Sequence, residues 1–421
     1  MKRLTLSFAL LLATLAAMAH SVVPDDWSDL SGSARPYPTD IKPQTRPDSL
    51  KPVMINHVGR HGARFPTSGR GSEEVRRFLM KAYEARQLTA AGKKLLALTD
   101  SVRIAAAGRW GRLDELGEEE QRGIAARMYV AAPNLFGDHA GITAISSWKP
   151  RCVMSMYSFL HQLTLLNHGG LMVTSSSGTT EDDALMRFFD TDKAYRELIF
   201  NDALLNVADK FQEKTIDDGM ATAILRRLAG ICFPDNVKER RWTVMSIYSL
   251  IADCGAMGIK VNPADWMTLR EYERCWSVKN FSQYMRYSAS NVSDVPAAMA
   301  APLLRDLIAT TDSFLVEEKG PAVRLRFGHA ETLMPLMSIM RLPGAYYISR
   351  LPESVAAHWR NYDLVPMAAN IVFHIFKAPS GNYYLRLDVN ESPVEFIPGR
   401  HDIYVPWAEA RDYFMRCLRG E

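Results

Sequence analysis

The chain has 421 residues, 47% hydrophobic and 23% charged, with 50 Lys and Arg against 47 Asp and Glu for a formal net charge of +3. That composition can fill the core of one large or two moderate globular domains and excludes a disordered or fibrous chain. Nearly balanced charge and the lack of a basic aromatic module argue against a nucleic-acid partner, so recognition of any anion has to be local.

The first residues, MKRLTLSFALLLATLAAMAHS, join a basic start at Lys2 and Arg3 to an apolar run over 4–15 and an Ala17-Met18-Ala19 cleavage pattern. They predict a signal peptide over 1–19 and an exported protein, periplasmic or secreted. A membrane anchor needs about 20 apolar residues, and no cysteine follows the cut to carry a lipid. Loss of Lys2 and Arg3 leaves a formal charge of about +1. The stretch 21–50 is polar and rich in proline, which predicts an extended arm on the surface. Residues 52–58 are mostly apolar and predict a buried strand ending near Gly59.

Helical patterning follows over 73–86 and 90–107. Then LGEEEQRGIAARM opens with an acidic turn that complements the helix dipole, its charges reading as a solvated face. A strand over 142–147 precedes a helix over 151–166 with Val153, Met156, Leu160 and Leu163 on its core side. The block 179–307 reads almost wholly helical, and strand character returns at 322–327, 369–377 and 383–389. The fold class is therefore α/β, with a sheet domain built from 20–178 and 308–421 and a mainly helical domain, 179–307, inserted between them. Cys152, Cys232, Cys254, Cys275 and Cys417 match no paired zinc spacing. They suit one or two bridges as well as isolated buried thiols.

In α/β sheets ligands gather beyond the carboxyl ends of strands, and the segment VMINHVGRHGARFPTSGRG, from Val53, runs through such an end. Gly59 and Gly62 permit tight turning. Were the chain to turn helical at His61, Arg60 and Arg64 would project to one side. Two guanidiniums facing one spot suit a tetrahedral oxyanion. His57 and His61 also lie four apart, the spacing of two metal ligands on a helix. The strand places them on no common helix, the arginines would repel a cation, and His57 reads as structural. No metal and no cofactor is expected.

Arg60-His61-Gly62-Ala63-Arg64-Phe65-Pro66 resembles the R-H-G-x-R-x-P signature of the histidine acid phosphatases, and RFGHAETLMPL carries His329-Ala330-Glu331, similar to the H-A-E motif of their multiple inositol polyphosphate phosphatase subgroup. KPRCVMSMYSF, LMRFFDTDKAY and LVPMAANIVF are similar to the same subgroup. The resemblance implies a phosphoglycerate-mutase-like sheet domain with a helical insert. It also implies hydrolysis of phosphate monoesters on inositol polyphosphates such as phytate, with His61 as nucleophile. Arg60, Arg64, Arg151 and His329 would hold the phosphoryl oxygens, and Lys149 would be a candidate for a neighbouring phosphate. Ala330 stands where the commoner pattern has Asp, so Glu331 or water must supply the proton. The partner is a small polyanion. A broad acid or sugar phosphatase, or a noncatalytic periplasmic binder of phosphate esters, stay open. Arginines and lysines of the insert, Arg187 among them, could form a basic rim, although most read as solvated helix charges.

Overall fold

The structure, a computed structural model, describes residues 27–421 apart from 43, 201, 318 and 319; the expected signal peptide lies outside the described residues. One sheet organises the chain. Its strands are β1 (Lys51–Arg60), β2 (Gly141–Ser146), β3 (Met172–Ser177), β4 (Val323–Gly328), β5 (Asn370–Lys377), β6 (Tyr383–Val389), β7 (Ser392–Pro393) and β8 (Val405–Pro406). They run in the order β3-β2-β4-β1-β5-β6-β7, with β8 also on β6. β3, β2, β4 and β1 are mutually parallel, and β5 and β6 add antiparallel pairs.

β1 is central, so both its faces are covered and its sequence is apolar without alternation. Met54 and Val58 feed one core and Ile55 the other. His57 lies between the rings of Phe159 and Phe327, 5.4 Å from each, and burial pushes it down to about 3. It is a neutral packing residue, and a Cβ on Gly59 would meet its Cε1 at 2.6 Å. Asn56, on the opposite face, spans to the helix Ala301–Glu317 through Thr310 and Thr311, and Arg326 of β4 reaches Asn56 and Asp306.

Helices occupy most of the chain between β3 and β4, and the earlier helices Arg70–Glu84 and Ala90–Ala106 pack against two of them, Asp218–Ala229 and Val237–Gly255. β3 escaped sequence reading because MVTSSS lies exposed at the sheet edge and shows no apolar alternation. The C-terminal helix Trp407–Arg419 buries Trp407, Ala410, Tyr413, Phe414 and Cys417 along one stripe. All five cysteines are unbridged, and four of them are buried.

Two expectations hold only in part. Residues 38–50 of the N-terminal arm, residue 43 apart, are exposed or half-buried without helix or strand, but a 3-10 turn before them, Asp29–Ala34, buries Leu30, Gly32 and Ala34 against the Val237 helix and the helix Leu269–Tyr287. Side chains satisfy part of its backbone, with Tyr248 donating to the Leu30 carbonyl at 2.8 Å and Arg60 to that of Ser33 at 2.6 Å. Gly32 has φ +61°, and Asn361 leaves 3.0 Å for a Cβ. The acidic helix, Glu115–Ala131, is likewise not solvated throughout. Glu120 is buried and accepts the backbone N–H groups of Tyr37 (2.7 Å) and Ala63 (2.6 Å).

Candidate active site

The carboxyl ends of β1, β4 and β2 lie level, since Arg60 pairs with Gly328 and Ser146 with Phe327. The residues that follow them, His61, His329 and Ser147, therefore emerge together on one edge of the sheet. The helices Pro150–Leu166 and Ala330–Ile339 start on that edge, each presenting the electropositive end of its dipole.

The loop after β1 is not helical. Arg64 forms an isolated bridge with Leu113 instead, and the loop lies on the start of the Glu115 helix. The approach is close enough to require glycine on both sides: a Cβ on Gly62 would meet Gly117 O at 2.3 Å, and one on Gly117 would meet Ala63 O at 2.2 Å. Gln121 holds the Arg60 carbonyl (2.9 Å), Glu120 holds Ala63, and Ser155 of the Pro150 helix accepts the Gly62 N–H (3.1 Å).

These contacts fix His61. Its backbone donates to Gly328 O and accepts from Ala368 N, and its Nδ1 lies 2.9 Å from Gly62 O. A carbonyl can only accept, so Nδ1 carries the proton and the lone pair is on Nε2. Burial holds the imidazole well below its usual range, and Arg60, Arg151, His329 and Arg64 push the same way. His61 is thus a buried, neutral, oriented base.

Around it lies a cleft of about 360 Å³ that brings together Arg60, His61, Arg64, Arg151 and Glu331. Burial pushes Arg60 down to about 9, with Arg64 lowering it further and Glu331 opposing. Its Nη1 is committed to the carbonyls of Ser33 (2.6 Å) and Val365 (2.5 Å), which aims the rest of the guanidinium. The Nε atoms of Arg60, Arg64 and Arg151 are all buried and without a partner among the described residues.

His329 sits behind Arg151, its ring 5.7 Å from that of His61 and edge-on to it. Arg151 Nη2 is 3.2 Å from Nδ1, while Arg187 Nη1 (2.8 Å) and Ser147 Oγ (2.9 Å) face Nε2. Guanidinium nitrogens only donate, and a neutral imidazole has a single acceptor nitrogen. One of these two guanidiniums therefore lacks an acceptor at His329. Burial, then Arg151 and Arg187, hold His329 well below its usual range.

Lys149 stands off the cleft, its Nζ 3.6 Å over the half-exposed Trp148 ring. Burial, Arg187 and Arg151 lower its pKa. Arg187 is the site residue that sequence reading left among the solvated charges. The signal was its place in LMRFFDTDKAY. The contact that places it is remote: Thr332 Oγ1, capping the Ala330 helix, donates to Met186 O (2.8 Å). Among the described residues no group of three or more His, Cys, Asp or Glu side chains is placed to hold a metal ion.

Residues 53–390 match the family profile of the histidine phosphatase superfamily, branch 2. The chain belongs to that family. Its sequence is similar to multiple inositol polyphosphate phosphatase 1 of Gallus gallus, 25% identical over 401 residues that cover 89% of this chain and 84% of the relative. The fold is similar to that of the Bifidobacterium longum multiple inositol polyphosphate phosphatase. Its complex with phosphate superposes at TM-score 0.79 and 16% identity over 93% of this chain and 98% of that one. Its complex with inositol hexasulfate superposes at TM-score 0.76 and 16% identity, covering 90% and 96%. In this branch-2 histidine phosphatase the signature histidine and its arginines stand at the carboxyl edge of the sheet, as the geometry above describes.

Proposed function

We propose that this histidine phosphatase hydrolyses phosphate monoesters of inositol polyphosphates, phytate included, through a phosphohistidine on His61. The observation that carries the reading is a surplus of buried donors around a neutral imidazole. Three guanidinium Nε–H groups lack partners, and two guanidiniums face one imidazole at His329. A phosphoryl group in the cleft that Arg60, Arg64 and Arg151 line supplies acceptors for this concentrated positive charge.

The steps follow from the groups present. Nε2 of His61 attacks phosphorus, the N–P bond forms and the P–O bond to the ring breaks. Arg60, Arg64 and Arg151, with Arg187 and His329 behind them, stabilise charge on the phosphoryl oxygens. Glu331, which lines the same cleft at the start of the Ala330 helix, gives its proton to the departing ring oxygen. The resulting carboxylate then takes a proton from the water that attacks phosphorus, which releases inorganic phosphate and restores His61. Lys149, held over Trp148, is placed for a further phosphate at the rim.

The substrate class is supported by the 25% identity to the avian enzyme and by the inositol hexasulfate bound in the B. longum homologue. Export is supported by the leader pattern, and no helix among the described residues is long and apolar enough to cross a membrane. The test is phosphate release from phytate, 2,3-bisphosphoglycerate, glucose 1-phosphate and an aryl phosphate, with inositol products resolved by isomer. Phytate is expected to have the highest kcat/KM of the biological esters. Preference for the sugar phosphate would make this a broad phosphatase, and binding without release a noncatalytic receptor.

A further inference from the structure

The wall of the cleft facing the sheet edge takes no part in the chemistry above. The Val237 helix presents Ser246, Ser249 and Asp253 to it at i, i+3 and i+7, and the Leu269 helix presents Lys279 and Gln283 one turn apart. Gln283 is committed: it donates to Ser33 Oγ (3.0 Å) and accepts from Asn361 Nδ2 (2.6 Å), which locks the N-terminal arm against this wall.

Asp253 and Lys279 are not committed. Among the described residues neither has a hydrogen-bond or ion-pair partner, and both line the cleft, Asp253 half-buried and Lys279 exposed to it. Burial pushes the Asp253 carboxyl up, and Arg64, Lys279 and Arg60 pull it back, in that order. Burial likewise lowers Lys279, and Asp253 is the first group to oppose it. The two charges thus share one wall of the cleft and act on each other electrostatically, within the field of Arg60 and Arg64.

A carboxylate at this point is unexpected in a cleft for polyanions. Glu331 has a proton to deliver, whereas Asp253 has no step to perform. As a fixed negative charge it repels phosphate, yet it is a strong acceptor for a hydroxyl. The ammonium of Lys279 has three donors and suits a phosphate.

We propose that Asp253 and Lys279 read the substituents of the leaving group: Asp253 accepts a hydrogen bond from a free ring hydroxyl while Lys279 holds a neighbouring phosphate. The cleft then favours a ring that already carries a hydroxyl over a fully phosphorylated one, and partly dephosphorylated intermediates are processed faster than phytate itself. This rests on the inositol polyphosphate reading.

The experiment compares kcat/KM at about pH 7, well above the ordinary carboxylate value, and repeats it one pH unit higher, for wild type, Asp253→Asn and Lys279→Gln. The substrates are myo-inositol hexakisphosphate, the pentakisphosphate isomer that wild type turns over fastest, and p-nitrophenyl phosphate, whose leaving group carries neither a ring hydroxyl nor a second phosphate. Asp253→Asn is expected to raise the hexakis-to-pentakis ratio about five-fold or more, because repulsion is removed and the amide can donate to phosphate. Lys279→Gln is expected to lower both inositol substrates about ten-fold relative to the aryl ester. An unchanged ratio in Asp253→Asn overturns the proposal. So does a loss shared equally by the aryl ester, which would make Asp253 a support for Arg64. Wild type that cleaves the aryl ester but no inositol phosphate overturns the substrate reading itself, and this inference with it.

Discussion

His61, the proposed nucleophile, is buried among cations, and burial and positive charge act together to leave its Nε2 lone pair free. Both environments disfavour the imidazolium, so the depressed pKa keeps the imidazole of His61 unprotonated in mild acid. The active form is therefore present above the folded pKa and is lost only as pH falls through it. With the substrate's own ionisation divided out, kcat/KM for an aryl phosphate should hold as pH drops through about 6.5, the ordinary histidine value. A half-loss at or above that value would mean His61 is not shielded as described.

Glu331 can be tested through the leaving group. An inositol alkoxide needs a proton as the P–O bond breaks, whereas p-nitrophenolate leaves unaided. Glu331→Gln should slow single-turnover phosphoryl transfer from phytate about 100-fold or more and spare p-nitrophenyl phosphate. Equal losses on both would reassign Glu331 to positioning phosphate. The two motif histidines and their arginines were legible because they lie in short ordered motifs. That Asp253 and Lys279 line the cleft was not, since each sits in a helix whose charges look solvated until the fold sets that face along the cleft.

The Glu115 helix shows what pattern reading loses at the level of an element. Its existence was evident, and its acidic first turn suits the dipole. That Glu120 leaves this charged run to clamp both the arm and the signature loop depends on Gly62 meeting Gly117, a contact between residues 55 positions apart in sequence. Burial pushes Glu120 up to about 7 despite the two N–H groups it accepts. A carboxyl whose folded pKa is raised stabilises fully below its unfolded value and loses that contribution as pH rises toward the folded one. Glu120→Gln cannot ionise, so its deficit in unfolding free energy relative to wild type should be largest near pH 4 and shrink by about 2 to 3 kcal/mol by pH 8. Thermal unfolding of both proteins at the two pH values checks this. A gap that widens with pH would show that the paired N–H groups, rather than burial, govern this carboxyl.

For the molecule as a whole, the central strands and the helical stretch before β4 followed from hydrophobic pattern, because a strand buried on both faces must be apolar throughout. The exposed edge strand β3 and the buried turn of the arm did not, since their sequences are polar and their places are set by partners far along the chain: Tyr248 and Asn361 for the arm, β2 for β3. The same long-range closure assembles the site from the ends of β1, β2 and β4 and the turn at Arg187.

What this arrangement does chemically can be read directly by quenching the enzyme with base during turnover of radiolabelled phytate and mapping the label. A phosphate that is stable in base, labile in acid, carried by His61 and absent from His61→Ala, which should be inactive, is the result expected. Label on another residue, or undiminished turnover by His61→Ala, would contradict it.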